Sequence, residues 1–500
     1  MKKIFFGLIF TLLIYLAVFP RITEVIGHNY LFLIDQGRDY EAVKKIVADH
    51  KLTLIGSEVG SGMAGFRGVF QGPFHYYFLT IPFFLFGGDP YGGVVLMFIF
   101  GLLSIVVSFI LGRKILGFFG GWLMAVMVAI SPPLISHSRF VWNPHPSAFF
   151  IVLAFLFTFL SYTKNKWTLF LAAFFSGFLY NFEIPISAPL CIGLLVYAVF
   201  VLRLRKWQSY IFLFLGFLAA YSPMILFDIR HGFSAIKGIV EYLFSYSFPQ
   251  ETHIFFADHR GEFIHNFFDT FPKQTLISQA IFFIFYFVSS IFLIISEKRR
   301  ELKQFLVYLL IIIVVSFIMF SFLKNIVFMY YLVHLNIAYI FFFVYIILSS
   351  HEQKKRIIQI FSIIIFLVFL FHAAIFAWEN YSKDVNDYGG MSKIKGKIEA
   401  IDYIYKDAHG EKFGLLVFSP PVYTYPYDYL IWWYGRNRYN YVPHKEKKGL
   451  FYLLIEPDIG KPWSYNGWLE TVIKTGEVKE TKKLPSGFII QKRIGGNDER

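Results

Sequence analysis

One cysteine, Cys191, stands in 500 residues. A single thiol forms no internal bridge, so a disulfide scaffold is excluded and the redox compartment is left unread. Charge is scarce too: Asp, Glu, Lys and Arg make up 16% of the chain, against roughly 25% in an ordinary soluble domain. HExxH, CxxC, GxSxG and paired Cys/His spacings are all missing, which removes the usual signals of a zinc hydrolase or a serine esterase. There is no internal repeat and no low-complexity tract. A collagen-like rod and a disordered chain are excluded by the same composition.

What is abundant is apolar. Hydrophobic residues reach 56%, mean hydropathy is +0.56, and 64 Phe, 32 Tyr and 9 Trp supply 21% of the chain. Apolar stretches of about 20 residues recur to about residue 376, the pattern of a polytopic membrane protein. Eleven spans fit, at 4–19, 91–112, 118–136, 147–162, 168–182, 184–202, 209–227, 276–296, 304–322, 327–348 and 357–377. Lys2 and Lys3 precede a run that resembles a signal peptide, but no small-residue cleavage site follows. It reads as an uncleaved first helix with its lysines in the cytoplasm.

The segment Phe74–Gly87 is apolar but short for a span, and charge decides its place. If it does not cross, Lys2, Lys3 and the clusters at 113–114, 164–166, 203–206, 297–303 and 352–356 all face the cytoplasm. Those sites hold 16 Lys or Arg and three Glu. If it crosses, every later cluster falls outside, against the positive-inside bias. The segment is therefore expected on, or dipping into, the outer leaflet. Much of the formal charge of +14 becomes a topology signal, and no nucleic-acid partner is called for.

Three parts then face outward: loop one (21–90), the 228–275 loop, and the chain after about Glu379. In the last part Lys393–Lys406 reads as a helix, and Phe413–Phe418, Leu450–Ile455 and Gly487–Ile494 as strands. Tyr423–Tyr434 is a short helix or a packed loop. The expected fold is a polytopic α-helical membrane unit of about 11 spans over 1–378, with a small outer-face α/β domain over 379–500.

Candidate chemistry gathers at the outer ends of the early spans. Asp35, Arg38, Asp39 and Glu41 form a dense polar group ahead of a surface helix with Glu41 and Lys45 at i,i+4. Asp39 either caps that helix or serves the site. Asp35 either holds a turn through Gln36-Gly37 or is used, an acid at the lipid interface being an expensive position otherwise. Residues 56–72 contain six glycines but no Gly-Lys-Ser/Thr, so they form a connector or a loop that orders over substrate, not a P-loop. His75, Tyr76 and Tyr77 open the surface segment, where tyrosines also serve as plain membrane anchors. Arg139 and His145, with Trp142 and Asn143 between them, can hold a phosphate. Glu183 ends the fifth span, and Asp228 and Arg230 close the seventh, where they form a structural pair or join the site. Asp35, Arg38, Arg139, His145, Glu183 and Arg230 together suggest a polar cavity open to lipid and water.

The order and spacing of several short pieces carry a family resemblance. They are Asp35-Gln-Gly-Arg38-Asp39, Gly72-Pro73-Phe-His-Tyr76-Tyr77, Leu111-Gly-Arg113-Lys114 with Phe118-Phe119-Gly120, and Ser131-Pro132 before Ser138-Arg139-Phe140. Over residues 4–230 the chain resembles membrane glycosyltransferases of the C-type fold, the bacterial and archaeal relatives of protein mannosyltransferases and the lipid A aminoarabinose transferase. Beyond residue 230 the likeness is of architecture only.

That resemblance implies a polyprenyl-phosphate-linked sugar as donor and a hydroxyl on a lipid, glycan or protein as acceptor, with inversion at the anomeric carbon. Asp35 matches the expected base. Arg38, Arg139, His145 and Arg230 are the expected phosphate partners, with Asp39, His75, Tyr76, Tyr77, Asn143, Glu183 and Asp228 around substrate. Asn143 stands where relatives often carry Asp, which weakens a second-carboxylate or metal role there. No cofactor is certain, and a divalent metal ion would fall to Asp35 and Asp39. The implied location is the inner membrane, N-terminus cytoplasmic and C-terminal domain outside, as a monomer by default. A transporter of lipid-linked glycans without transfer chemistry is the second reading. A carbohydrate-binding sensor or scaffold is a third, for which eleven spans are more than an anchor needs.

Overall fold

The structure is a computed structural model and describes residues 2–59, 68–244, 252–272, 275–323, 326–420 and 423–496. The middle of the glycine-rich stretch (60–67) and part of the 228–275 loop (245–251 and 273–274) lie outside the described residues.

The chain opens with helices α1 (Lys2–Val18), α2 (Thr23–Gly27), α3 (Ile34–Val47) and α4 (Phe74–Leu85). Then follow α5 (Tyr91–Ile130), α6 (Pro132–Ser136), α7 (Ser147–Leu160), α8 (Lys166–Phe178), α9 (Ile184–Val196) and α10 (Trp207–Arg230). The second half of the membrane unit holds α11 (Ser234–Phe244), α12 (Thr252–Asp269), α13 (Leu276–Ser296), α14 (Arg300–Ser321), α15 (Val333–Glu352) and α16 (Arg356–Val385). Among the described residues seven helices are long and apolar enough to cross a membrane, and a helix occupies each of the eleven segments expected from the sequence.

The longest of the seven, α5, is two limbs. Gly117 breaks it with φ 79°, a left-handed value that favours glycine. The limbs press together there, since a Cβ on Gly112 would stand 2.4 Å from the Gly120 carbonyl oxygen. α15 runs through the middle of the bundle and is buried almost along its whole length.

Two features mark the end of the bundle where α4 lies. α4 has 12 residues, about 18 Å of helix, too short for a hydrocarbon core of about 30 Å. Tyr76, Leu79 and Phe83 point into the protein while Ile81, Phe84 and Leu85 are exposed, the division expected of a helix lying on lipid. Arg21 is fully buried and joins two helix ends. Its guanidinium donates to Ala17 O (3.1 Å) in α1 and to Ala129 O (2.8 Å) and Val128 O (3.2 Å) in α5. A cation complements the partial negative charge of both C-termini.

After α16 come α17 (Ile394–Asp407), β1 (Gly414–Phe418), α18 (Tyr425–Tyr439), β2 (Gly449–Ile455), α19 (Tyr465–Trp468), β3 (Glu477–Lys483) and β4 (Ile489–Gly495). The sheet order is β1-β2-β4-β3. β1 and β2 are parallel, with Leu416 opposite Leu453, and the other two pairs are antiparallel. The aromatic cluster around 423–434 is the helix α18. β3, EVKETKK, is exposed throughout, an edge strand protected by charge.

The sheet domain rests on α3. A Cβ on Gly37 would lie 2.3 Å from the Pro426 nitrogen, so only glycine permits this approach. Beside it the Tyr40 and Tyr429 rings lie 5.0 Å apart, and Trp433 Nε1 donates to Gly87 O at 3.1 Å.

Candidate functional site

The start of α3 differs from the sequence expectation and thereby builds the site. The helix begins at Ile34 because the Gln36 side chain accepts from the Leu33 N–H at 2.8 Å. Asp35 is therefore in the first turn and not in a turn before it, and Asp39 lies inside the helix and caps nothing. Spacings of three and four put Asp35, Arg38 and Asp39 on one face. Glu41 pairs with Lys44 (3.2 Å) in place of the expected Lys45.

Arg38 lies between the two aspartates, with Nη1 2.8 Å from Asp35 Oδ1 and Nη2 2.8 Å from Asp39 Oδ1. His75 Nε2 approaches Asp39 Oδ2 at 3.2 Å from α4. Asp39 is wholly buried. Burial alone would raise its carboxyl, but Arg38 and then His75 outweigh it and hold the group below the usual carboxylate range. Asp35 differs: its side chain is 40% exposed. Burial of the remainder pushes its carboxyl up, Arg38 pulls it back, and the Asp39 charge adds to the rise. The net position is above the usual carboxylate range, the direction that suits a general base near neutral pH. Tyr76 stands close by on α4, a buried phenol whose ionisation burial and the Asp39 charge both oppose.

The connection between α6 and α7 joins this group to a second one through three consecutive residues. Val141 O accepts from Gln36 Nε2 (2.7 Å), Trp142 Nε1 donates to Asp35 Oδ2 (3.1 Å), and Asn143 Nδ2 donates to Glu183 Oε1 (3.0 Å). Asn143 also donates to Gln71 Oε1 and to Phe182 O, both at 2.7 Å. Glu183, just ahead of α9, is 5% exposed. Burial pushes its carboxyl up to about 8, against the pull of hydrogen bonds from Gln71 and Asn143, so at neutral pH it is mostly protonated and uncharged. Trp142 packs on Tyr330 at 4.5 Å between ring centres.

Trp142 and Tyr330 also wall a cavity of about 520 Å³. Its lining also includes His137, His145 and Asp269 together with Ile130, Phe271 and Phe376. Burial lowers His137 to about 4 and, with His137 alongside, lowers His145 well below the ordinary value. His145 Nδ1 lies 2.6 Å from the Phe140 carbonyl, which requires a proton on that nitrogen. The two histidines are therefore neutral, Asp269 is an ionisable carboxyl on the same, largely apolar lining, and His145 brings no positive charge to a phosphate.

Several expected members are elsewhere. Arg139 is spent on Glu24 (Nε to Oε1, 2.8 Å), Thr23 (3.2 Å) and Asp384, which ties the 137–146 connection to α2 and to the end of α16. Asp228 caps α11 by accepting from Ala235 N (2.8 Å) and Ile236 N (3.3 Å), and it does not pair with Arg230, which is exposed. Tyr77 accepts from Thr53 N (3.2 Å) and donates to Thr53 O (2.5 Å), holding loop one against α4. Gln71 and Tyr330 are residues that sequence reasoning passed over, and Trp142 is one to which it gave no role of its own in the site. The arrangement of Asp35 and Asp39 does not suit a metal ion, because the Arg38 guanidinium stands between them. Among the described residues no group of three or more His, Cys, Asp or Glu could hold one.

No family model matches the sequence, and no curated protein matches it. Solved structures do match. ArnT from Cupriavidus metallidurans bound to undecaprenyl phosphate superposes with a TM-score of 0.58 at 13% identity, over 97% of this chain and 98% of that one. The apo form of the same protein gives 0.56 at 13% identity, over 98% and 97%. At that identity the likeness is one of fold. It covers nearly the whole chain, including the part beyond residue 230 where a likeness of architecture was expected: this is a polytopic α-helical membrane protein with a C-terminal β-sheet domain, and its fold resembles that of ArnT.

Proposed function

We propose that this chain is a glycosyltransferase that moves a sugar from a polyprenyl phosphate to an acceptor hydroxyl at the outer face of the cytoplasmic membrane. The observation that carries the reading is Asp35, a half-exposed carboxylate set between Arg38 and Trp142 beside a cavity of about 520 Å³. It occurs on the fold of a protein whose crystal structure holds undecaprenyl phosphate. In this reading eleven spans cross, the N-terminus is cytoplasmic, and α3, α4 and the sheet domain lie outside.

Asp35 takes the proton of the acceptor hydroxyl as its oxygen attacks the anomeric carbon. The carbon–oxygen bond to phosphate breaks on the opposite face, polyprenyl phosphate leaves with the electron pair, and configuration inverts. A phosphate monoester leaves without being protonated, so what the site supplies is positive charge. Of the four cations expected near the phosphate, Arg38 is the one beside Asp35. The incoming phosphate draws Nη1 away from Asp35, which leaves Oδ1 open to the acceptor. Asp39 and His75 keep the guanidinium anchored while this happens. Protonated Glu183 spares the site a further negative charge against the phosphate. No step needs a metal ion.

The test is purified protein in lipid with a panel of labelled polyprenyl-phosphate sugars and membrane extract as acceptor, beside Asp35→Asn. Expected is release of polyprenyl phosphate with label on an acceptor, reduced at least about 100-fold in the variant while donor binding persists. Donor that binds but is never consumed, with the variant indistinguishable from wild type, would overturn the reading.

A further inference from the structure

The sheet domain has a small pocket of its own, about 230 Å³, which the transfer site does not use. Thr424, Asp428 and Trp432 follow one another at spacings of four and so share one face of α18. Lys445 and Trp468 close the pocket from the other side. Both indoles are half-buried. Its polar part is a linked set: Asp428 Oδ1 accepts from Lys445 Nζ (2.8 Å) and Oδ2 from Thr424 Oγ1 (2.7 Å). Each carboxylate oxygen keeps a lone pair, and the exposed ammonium keeps two protons. The pocket therefore offers acceptor and donor side by side, next to aromatic walls.

That combination selects among ligands. A purely apolar group would leave the carboxylate and ammonium unanswered, and an anion would meet Asp428. A pyranose ring answers both parts, with vicinal hydroxyls for Asp428 and Lys445 and a C–H face for an indole. The volume is below the roughly 300 Å³ at which pockets for drug-sized ligands begin, which suits a single ring. The pocket is also coupled to the base. Lys44 lies 4.6 Å over the Trp432 ring and sits nine positions after Asp35 on α3, about 13–14 Å along the helix. An acceptor chain of a few sugar rings covers a run of that length along α3.

We infer that this pocket is a subsite for one uncharged sugar ring of a saccharide acceptor, held by Trp468, Trp432, Asp428 and Lys445 while a further hydroxyl of the same chain reaches Asp35. The inference rests on the proposed transfer reading and narrows its acceptor to a glycan.

Two measurements on the full chain in lipid nanodiscs test it, with wild type, Trp468→Ala and the shape-conserving Asp428→Asn, each checked by thermal melting. The first is saturation-transfer NMR with methyl glycosides of glucose, galactose, mannose and N-acetylglucosamine and their disaccharides. The second is transfer kinetics with the saccharides that bind. At least one probe is expected to give a saturable signal that falls at least fivefold in both variants. The acceptor KM should rise about tenfold, with kcat and the donor KM within twofold of wild type. Transfer that proceeds while no probe binds, or an acceptor KM unmoved in folded variants, overturns the subsite and leaves the transfer reading intact. Probe binding lost in the variants, with no donor consumed by wild type, upholds the pocket as a sugar site and overturns the transfer reading.

Discussion

Glu183 should make this protein less stable as pH rises through the neutral range. In the native chain its buried carboxyl titrates at about 8, whereas in the unfolded chain it titrates at about 4.3. Between those values the native state holds a proton that the unfolded state has released. The unfolded state binds fewer protons there, so stability falls with increasing pH. The contribution is fully present below about pH 4, shrinks by about 2 kcal/mol between pH 6 and pH 8, and is lost once pH passes the native value. Glu183→Gln removes the titration and keeps an amide oxygen where Asn143 Nδ2 now donates at 3.0 Å. The assay is thermal melting of wild type and variant in nanodiscs at pH 6, 7 and 8. Other groups titrate over this range, so the quantity to read is the difference between the two proteins at each pH. Wild type should lose roughly 2–4 °C more than the variant between pH 6 and 8. Transfer activity should show the same signature, with an alkaline limb near pH 8 in wild type that moves upward in Glu183→Gln. Melting curves that shift in parallel across pH 6–8 would refute the assignment of a buried, protonated Glu183.

Two further perturbations address the scaffold. Arg21→Ala strands carbonyls at the ends of α1 and α5 and should cost about 3 kcal/mol or more; Arg21→Lys should not restore it, because a point-like ammonium cannot serve both helix ends. A Lys variant melting with wild type would show that the clamp is dispensable. Gly37→Ala places a Cβ against the Pro426 backbone and should loosen the sheet domain, opening the 386–393 connection to limited proteolysis. An unchanged digestion pattern would mean that the domain is not held through α3.

How far the sequence could be read depended on whether the signal was local. Spans announce themselves through about 20 apolar residues each, and the expected place of Phe74–Gly87 rests on where Lys and Arg fall around it; the structure shows α4 as a helix of 12 residues, too short to cross. The strands β1 and β2 were legible as apolar runs and β4 was read as a final strand, while β3 was not legible, because a charged edge strand looks like a solvated loop. The group of Asp35, Arg38 and Asp39 was visible as a dense polar cluster. Their common face was not, since it depends on a helix that starts at Ile34 through the Gln36 side chain. Arg139 was misjudged for the opposite reason: its partner Asp384 is 245 residues away, and nothing local marks the arginine as already neutralised. Gln71 and Tyr330 carry no charge and gain their place only through distant contacts, Gln71 with Ser57 and Asn143 and Tyr330 with Trp142.

In the proposed transfer, the position of Asp35 on α3 makes the sheet domain part of the chemistry and more than an appendage. One side of α3 carries Asp35, Arg38 and Asp39, and Gly37 and Tyr40 take the weight of α18 on the same short helix. A half-exposed aspartate on a loop would wander, and its basicity would follow solvent. Here Asp39 and His75 fix Arg38, burial raises the Asp35 carboxyl while Arg38 holds it back, and Trp142 fixes the direction of its second oxygen. Each restraint comes from a different element: α3 itself, α4, and the connection before α7. The sheet domain holds the shared helix from above. Loss of that support should therefore be felt at the base without any contact between the domain and the transferred sugar.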